Sequence, residues 1–197
     1  RSYPKKTEVI NLANGNIKQI NQQPMVADIM GYDTANPYPR NFGWRPDKPA
    51  TLYWTEAQDE GNPRAHKVEF MDAIYEWTAP FDGNKQLVVK TPWRCRTIYW
   101  CDDEFAIVTE SSRAQRRMRY SSFKPGDETK GLSVIFDYST DDNYANPGRP
   151  YLTSNAYKQK VLYTDKRHNE LLMIAPGGSP EGDMPYLSRY DIAKKKN

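Results

Sequence analysis

Leu52-Tyr53-Trp54-Thr55-Glu56 recurs as Ala106-Ile107-Val108-Thr109-Glu110 and again as Val161-Leu162-Tyr163-Thr164-Asp165. Each copy is a short apolar run that closes on a threonine and an acid. The step is 54 residues from Thr55 to Thr109 and 55 residues from Thr109 to Thr164. Upstream of each copy lies an opening residue with strand preference, at Trp44, Trp100 and Thr153. Self-similarity at a fixed period marks a repeat architecture, in which one supersecondary unit stacks on the next.

Around these runs, strands rich in Tyr, Trp, Val, Ile and Thr alternate with clusters of Pro, Gly, Asn and Asp. The first unit is expected to hold strands at 41–44, 51–56, 73–77 and 86–90. The second holds them at 97–100, 105–110, 117–123 and 132–136, and the third at 151–153, 160–164, 171–174 and 185–191. Turn chemistry falls between them at Pro46-Asp47, Phe81-Asp82-Gly83-Asn84, Lys124-Pro125-Gly126-Asp127 and Asn146-Pro147-Gly148, where these residues supply the φ values that turns require. Helical periodicity is close to absent.

Four strands per unit at this interval are the pattern of β-propeller blades. The fold class expected is therefore all-β, a partial β-propeller of four-stranded antiparallel blades. The blades are set at 40–93, 94–149 and 150–197, the last incomplete, and 1–39 holds the end of a preceding blade and a linker. Within that head, 8–12 and 17–20 are expected to form a hairpin across Asn14-Gly15-Asn16. At this period 197 residues give about three and a half blades, against roughly four to eight in a closed propeller. The chain is thus expected to begin inside one blade and stop inside another, with open blade edges that invite self-association. The alternative is a β-sandwich whose strand ends resemble one another by accident.

Composition narrows the classes further. The mean hydropathy of −0.90 and the lack of a long apolar run exclude a transmembrane helix, which takes about 20 consecutive apolar residues. No signal-peptide core is visible after Arg1. Aromatic residues make up 13% of the chain, which argues against disorder. A net charge of +3 is too small to point to nucleic acid, and no aromatic platform for single strands is evident.

The two cysteines, Cys95 and Cys101, flank a strand-like stretch. If extended, it holds their Cα atoms roughly 20 Å apart, far beyond the 4.4–6.8 Å or so of a disulfide. Two free thiols are expected, with no metal assignment, because no histidine or second cysteine pair is near them in sequence. No cofactor is expected. Asp137, Asp141 and Asp142, with Glu181 and Asp183, form acidic turns that lack calcium-loop spacing. Ser179–Asp183 is read as a shaped hairpin loop, and the Trp and Tyr positions as packing between units.

The block Trp44-Arg45-Pro46-Asp47-Lys48-Pro49-Ala50-Thr51-Leu52-Tyr53-Trp54-Thr55-Glu56-Ala57-Gln58 resembles the propeller of the prolyl-oligopeptidase-like serine peptidases. Its nearest likeness is the glutamyl endopeptidase branch, known from plastids and bacteria. Asp72-Ala73-Ile74-Tyr75-Glu76-Trp77-Thr78-Ala79-Pro80-Phe81, Ala106–Glu110 and Gly178-Ser179-Pro180-Glu181-Gly182-Asp183-Met184-Pro185-Tyr186-Leu187 follow in that family's order. The resemblance implies a propeller that caps an α/β-hydrolase domain and admits peptides or unfolded segments. Such a hydrolase places its serine on a Gly-x-Ser-x-Gly elbow, with Asp and His following.

That elbow is absent from the sequence, and the two histidines, His66 and His168, sit in polar stretches that read as solvated loops. No catalytic residue is assigned, and the chain alone is expected to be inactive. The expected partners are a hydrolase domain of the same polypeptide and peptide substrates, with neither nucleic acid nor membrane. The compartment is undetermined, a bacterial periplasm or secretion set beside a plastid stroma. The alternative is a propeller that acts as a stand-alone protein-binding scaffold.

Arg113, Arg116, Arg117 and Arg119 crowd into seven positions after Thr109-Glu110. On a strand, Arg117 and Arg119 share a face by period two. The resemblance implies cleavage after Glu, and guanidinium groups would suit an acidic side chain entering the cavity. These four are the substrate-guiding candidates. Set against that role is a solvated basic hairpin paired with Glu104, Glu110 or Glu128.

Overall fold

The computed structural model describes residues 3–196, and among them the chain forms strands and turns with no helix. Strands β1 (Lys5–Ile10) and β2 (Ile17–Gln23) make an antiparallel hairpin. Gly15, at φ 73°, takes the left-handed position in its turn, which glycine occupies without a Cβ penalty. Lys18 lies 5.7 Å over the Trp77 ring, which sets the hairpin beside the first large sheet.

That sheet contains β3 (Arg40–Trp44), β4 (Thr51–Ala57), β5 (Asp72–Thr78) and β6 (Gln86–Thr91), hydrogen-bonded in chain order and antiparallel. The second repeats the design with β7 (Arg94–Trp100), β8 (Ala106–Ser112), β9 (Arg117–Phe123) and β10 (Ser133–Ser139). Strand β7 begins three residues before the predicted 97, ahead of a bulge between Cys95 and Thr97. Strand β10 runs past the predicted 136 because Asp137 and Ser139 pair with Arg119 and Arg117.

The repeated run explains how the sheets associate. All seven residues of β8 are buried, so this strand is covered on both faces. Successive side chains point to opposite faces. Ala106 and Val108 meet Ile74, Val88 and Val89 of the first sheet, while Ile107 meets Leu162, Leu171 and Met173 of the third region. Aromatic pairs bridge the same two interfaces, Tyr53 with Trp100 at 5.2 Å and Phe136 with Tyr190 at 4.5 Å. The sheets therefore stack face to face in chain order, but the expected packing of aromatic residues between units holds only in part: Trp54 and Tyr75 stack within the first sheet, and Trp44, Tyr157 and Tyr186 are exposed. A propeller requires closure into a ring, which three stacked sheets do not constitute by themselves.

The Arg45–Thr51 turn reinforces the stack. Arg45 is 2% exposed, donates to Glu76 Oε2 at 2.7 Å and to Asp47, and lies 4.2 Å over the Trp100 ring. Asn155 of the third region donates to the Pro46 carbonyl at 2.8 Å.

The third region departs from the four-stranded plan. It divides into β11 (Arg149–Pro150), β12 (Leu152–Ser154), β13 (Lys160–Leu162), β14 (Glu170–Ala175) and β15 (Tyr186–Asp191), with sheets ordered β11-β14-β15 and β12-β13. A lone bridge, Thr164 to Leu171, links β13 to β14. Pro150 offers no N–H to a ladder, and the chain changes partners one residue later. The Tyr151 N–H bonds the Leu172 carbonyl, while its own carbonyl accepts from Tyr163.

Candidate functional site

The arginine cluster sits on the β8–β9 hairpin, where Ser112 and Arg117 pair across a four-residue turn. Arg116 takes φ 54° in that turn. A carboxylate far away in sequence holds the turn. Asp33 is buried, and it accepts from the Arg113 N–H at 2.6 Å, the Ala114 N–H at 3.1 Å and the Ser112 hydroxyl at 3.1 Å. The sequence carries no local signal for this contact, since 80 positions separate Asp33 from Arg113.

Arg117 and Arg119 do share a face, and that face carries its own acid. Arg117 Nε donates to Asp137 Oδ1 at 2.7 Å, and Arg119 reaches Asp137 Oδ2 at 3.0 Å. Arg119 also lies 3.9 Å over the Trp93 ring and bonds Glu110 Oε1 at 3.3 Å. Arg116 pairs with Asp141 at 2.9 Å on the exposed side. Of the partners predicted for a paired basic hairpin, Glu110 is the one observed. Glu104 instead binds Lys124 at 2.7 Å, and Glu128 lies 4.0 Å from Lys90.

Two carboxyls of this network are shifted in opposite directions. Burial pushes the Glu110 carboxyl up, against the Trp93 N–H and Arg119, which favour its charged form. At Asp137 burial also pulls upward, but the donors of Arg117 and Arg119 outweigh it and the carboxyl titrates below the ordinary Asp range. A carboxyl with a lowered folded pKa adds stability above its unfolded value of about 3.9 and loses it as pH falls through the folded value. Asp137→Asn is therefore expected to cost about 0.5–1 kcal/mol at neutral pH. It should also flatten the acid side of the stability profile, read from urea midpoints between about pH 2 and 7; an unchanged acid slope would remove this role.

Arg113 faces elsewhere. With Arg40, Arg94 and Arg96 it lines a cavity of about 280 Å³. Arg96 and Arg113 also border a neighbouring groove of about 660 Å³ that continues to Arg116 and Arg117. The first strands of two sheets supply this wall, Arg40 from β3 and Arg94 and Arg96 from β7. Arg94 is saturated by five bonds to Asp33, Met71, Asp72 and Asp59. Arg40 is paired with Asp72 through Nη2, but its Nη1 is buried without a hydrogen-bond partner. Arg96 donates to the neutral Ser111 hydroxyl at 2.6 Å. The cavity thus gathers guanidinium groups in excess of the carboxylates that reach them, chemistry suited to a carboxylate or another small anion. Arg40, Arg94 and Arg96 were not among the sequence candidates, although the alternation Arg94-Cys95-Arg96 was a readable hint of cations at a strand start.

Both cysteines are free thiols. His66 is an exposed loop residue 3.4 Å from Glu60. His168 is not a solvated loop residue, because it stacks on Phe105 at 4.9 Å and approaches Asp102 at 3.3 Å. This places a histidine against Cys101–Asp102 that sequence distance had kept apart from them. The Ser179–Asp183 loop is closed by reciprocal Ser179 and Gly182 backbone bonds of 3.1 Å.

No family model and no solved structure matches the chain. Two plant proteins do, both named "Probable glutamyl endopeptidase, chloroplastic". The one from Oryza sativa subsp. japonica is 32% identical over 196 residues, which is 96% of this chain and 21% of that protein. The one from Arabidopsis thaliana is 32% identical over 197 residues, 96% of this chain and 20% of that protein. The chain spans about a fifth of the length of the curated relatives it matches, and it is a partial, distant homologue of proteins named glutamyl endopeptidase.

Proposed function

We propose that this chain is the non-catalytic β-propeller portion of a prolyl-oligopeptidase-like serine peptidase of the glutamyl endopeptidase type. Its units at 40–93, 94–149 and 150–197 are the blades, and its work is to gate and guide peptides toward an α/β-hydrolase domain elsewhere in the same polypeptide. Homology along nearly the whole chain to a fifth of the relatives supports this reading, as do the face-to-face stack of sheets and the absence of a Gly-x-Ser-x-Gly elbow. In a propeller the first strand of each blade borders the central channel, so β3 and β7 would turn Arg40 and Arg96 toward the path of the peptide.

The observation that carries the guiding role is the cavity edged by Arg96 and Arg113: Arg96 donates to the neutral Ser111 hydroxyl, and the one bond of Arg113 to a carboxylate runs from its backbone N–H to Asp33, not from its guanidinium. Arg117 and Arg119 are already neutralised by Asp137 and Glu110, which moves the guiding role from that pair to Arg113 and Arg96. In the full-length protein, Arg96→Ala with Arg113→Ala is expected to lower kcat/KM for peptides with Glu before the scissile bond about 10-fold more than for neutral peptides. That is the scale of one charge-assisted hydrogen bond. Arg117→Ala with Arg119→Ala should leave the selectivity within about 3-fold. Equal losses on acidic and neutral peptides would overturn the guiding role.

A further inference from the structure

Cys101 and Asp102 follow directly on β7, and His168 lies in the turn before β14. Each is held by its own local device. Asp102 Oδ1 accepts from the backbone N–H groups of Glu104 at 2.8 Å and Phe105 at 2.9 Å, which fixes the carboxylate. Its second oxygen faces His168 Nε2 at 3.3 Å and Cys101 Sγ at 3.8 Å. The His168 turn is closed by Asp165, whose Oδ1 accepts from Asn169 at 2.6 Å and Glu170 at 2.9 Å. Phe105 stacks on the imidazole at 4.9 Å with the rings 3° from parallel. The imidazole Nδ1 is buried without a hydrogen-bond partner, so stacking and not a hydrogen-bond network orients the ring.

Sulfur, oxygen and nitrogen thus converge within 4.8 Å of one another. Bonds of about 2.0–2.3 Å at tetrahedral angles put O and N about 3.4 Å apart and S and O about 3.6 Å apart. The observed 3.3 and 3.8 Å match those spacings. Sulfur and nitrogen lie within the same 4.8 Å.

We propose that Cys101 Sγ, Asp102 Oδ2 and His168 Nε2 form a site for one borderline-soft divalent transition metal, Zn²⁺ in type, that pins the third region to the second sheet. One thiolate with one imidazole favours such an ion over Mg²⁺ or Ca²⁺, which take oxygen donors. Solvent reaches the site, since the Asp102 side chain is 48% and the His168 side chain 24% exposed, so an ion can enter and water can complete the coordination. Binding breaks the S–H bond, forms the metal–sulfur bond and releases the proton to solvent, so affinity rises with pH.

Titrating the 197-residue chain with Co²⁺ under reducing conditions is expected to give one equivalent of binding with a thiolate-to-cobalt charge-transfer band. Zn²⁺ should displace the cobalt and raise the thermal midpoint. Cys101→Ser is expected to abolish the band. His168→Asn, chosen because Asn tolerates the φ of 56° at this position, should weaken Zn²⁺ binding by more than about 100-fold. Asp102→Asn keeps the Oδ1 acceptor and so preserves the turn, and it should weaken binding by at least about 10-fold. His66→Ala should change nothing. Absence of the band, a band that survives Cys101→Ser, or Zn²⁺ affinity unmoved by His168→Asn in a folded variant would overturn the site.

Discussion

Arg94→Ala is expected to cost about 3–5 kcal/mol, the scale of removing one partner from a buried ionic network. Arg94 is 3% exposed, and the two carboxylates it holds, Asp59 and Asp72, are fully buried. Its Nη2 reaches both oxygens of Asp59 at 2.8 and 2.6 Å, its Nη1 reaches Asp72 Oδ1 at 2.9 Å and the Met71 carbonyl at 2.9 Å, and its Nε reaches the Asp33 carbonyl at 2.6 Å. One side chain therefore joins three separate pieces of chain, the 31–36 segment, the loop before β5 and the edge strand β7. Without it, two buried carboxylates lose a cation, and Asp72 keeps only Arg40 and the Cys95 N–H.

Arg94→Lys should recover only part of the loss, since an ammonium is a point donor and cannot span a fork of this width. Arg94→Ala combined with Asp59→Ala should be less destabilised than the sum of the two single variants, with a coupling of about 1–3 kcal/mol. Urea unfolding of the four proteins measures this. A loss under about 1 kcal/mol for Arg94→Ala would show that water takes the place of the guanidinium.

Much of the sheet framework could be read from the sequence, and the reason lies in β4 and β8. Central strands covered on both faces need near-continuous apolar or β-branched runs, so Leu52–Thr55 and Ala106–Thr109 stand out at any register. The face each residue takes followed from period two, as Arg117 and Arg119 illustrate. What could not be read was which acid stands opposite. That depends on register: beyond the bulge between Val134 and Phe136, Asp137 pairs directly with Arg119 and meets the arginines, while Glu104 and Glu128 lie in loops outside β10. The third region was harder still. Its strands were visible as Tyr, Val and Leu runs, but the exchange of partners at Tyr151 depends on a proline and on a three-residue β13. The polar links, Asp33 to the β8–β9 turn and His168 to Cys101–Asp102, join residues far apart in sequence with no periodicity to announce them.

Ile107→Ala is expected to cost about 2–5 kcal/mol, and where that loss is felt tests how the stack is built. Ile107 is fully buried and packs toward Leu162, Leu171 and Met173, whereas Val108, also fully buried, packs toward Ile74, Val88 and Val89. Adjacent residues of one strand thus serve two different interfaces. Sheets that contact only their neighbours gain stability from each interface separately. Hydrogen exchange of Ile107→Ala should therefore show protection lost first in β13 and β14, with β4 and β5 retained. Val108→Ala, which removes one methylene-equivalent less of buried surface at about 0.8 kcal/mol each, should be milder and loosen the β5 and β6 side first. If both variants lose protection evenly across all the sheets, the chain unfolds as a single cooperative block. The face-by-face division of β8 would then describe its geometry without partitioning its energy.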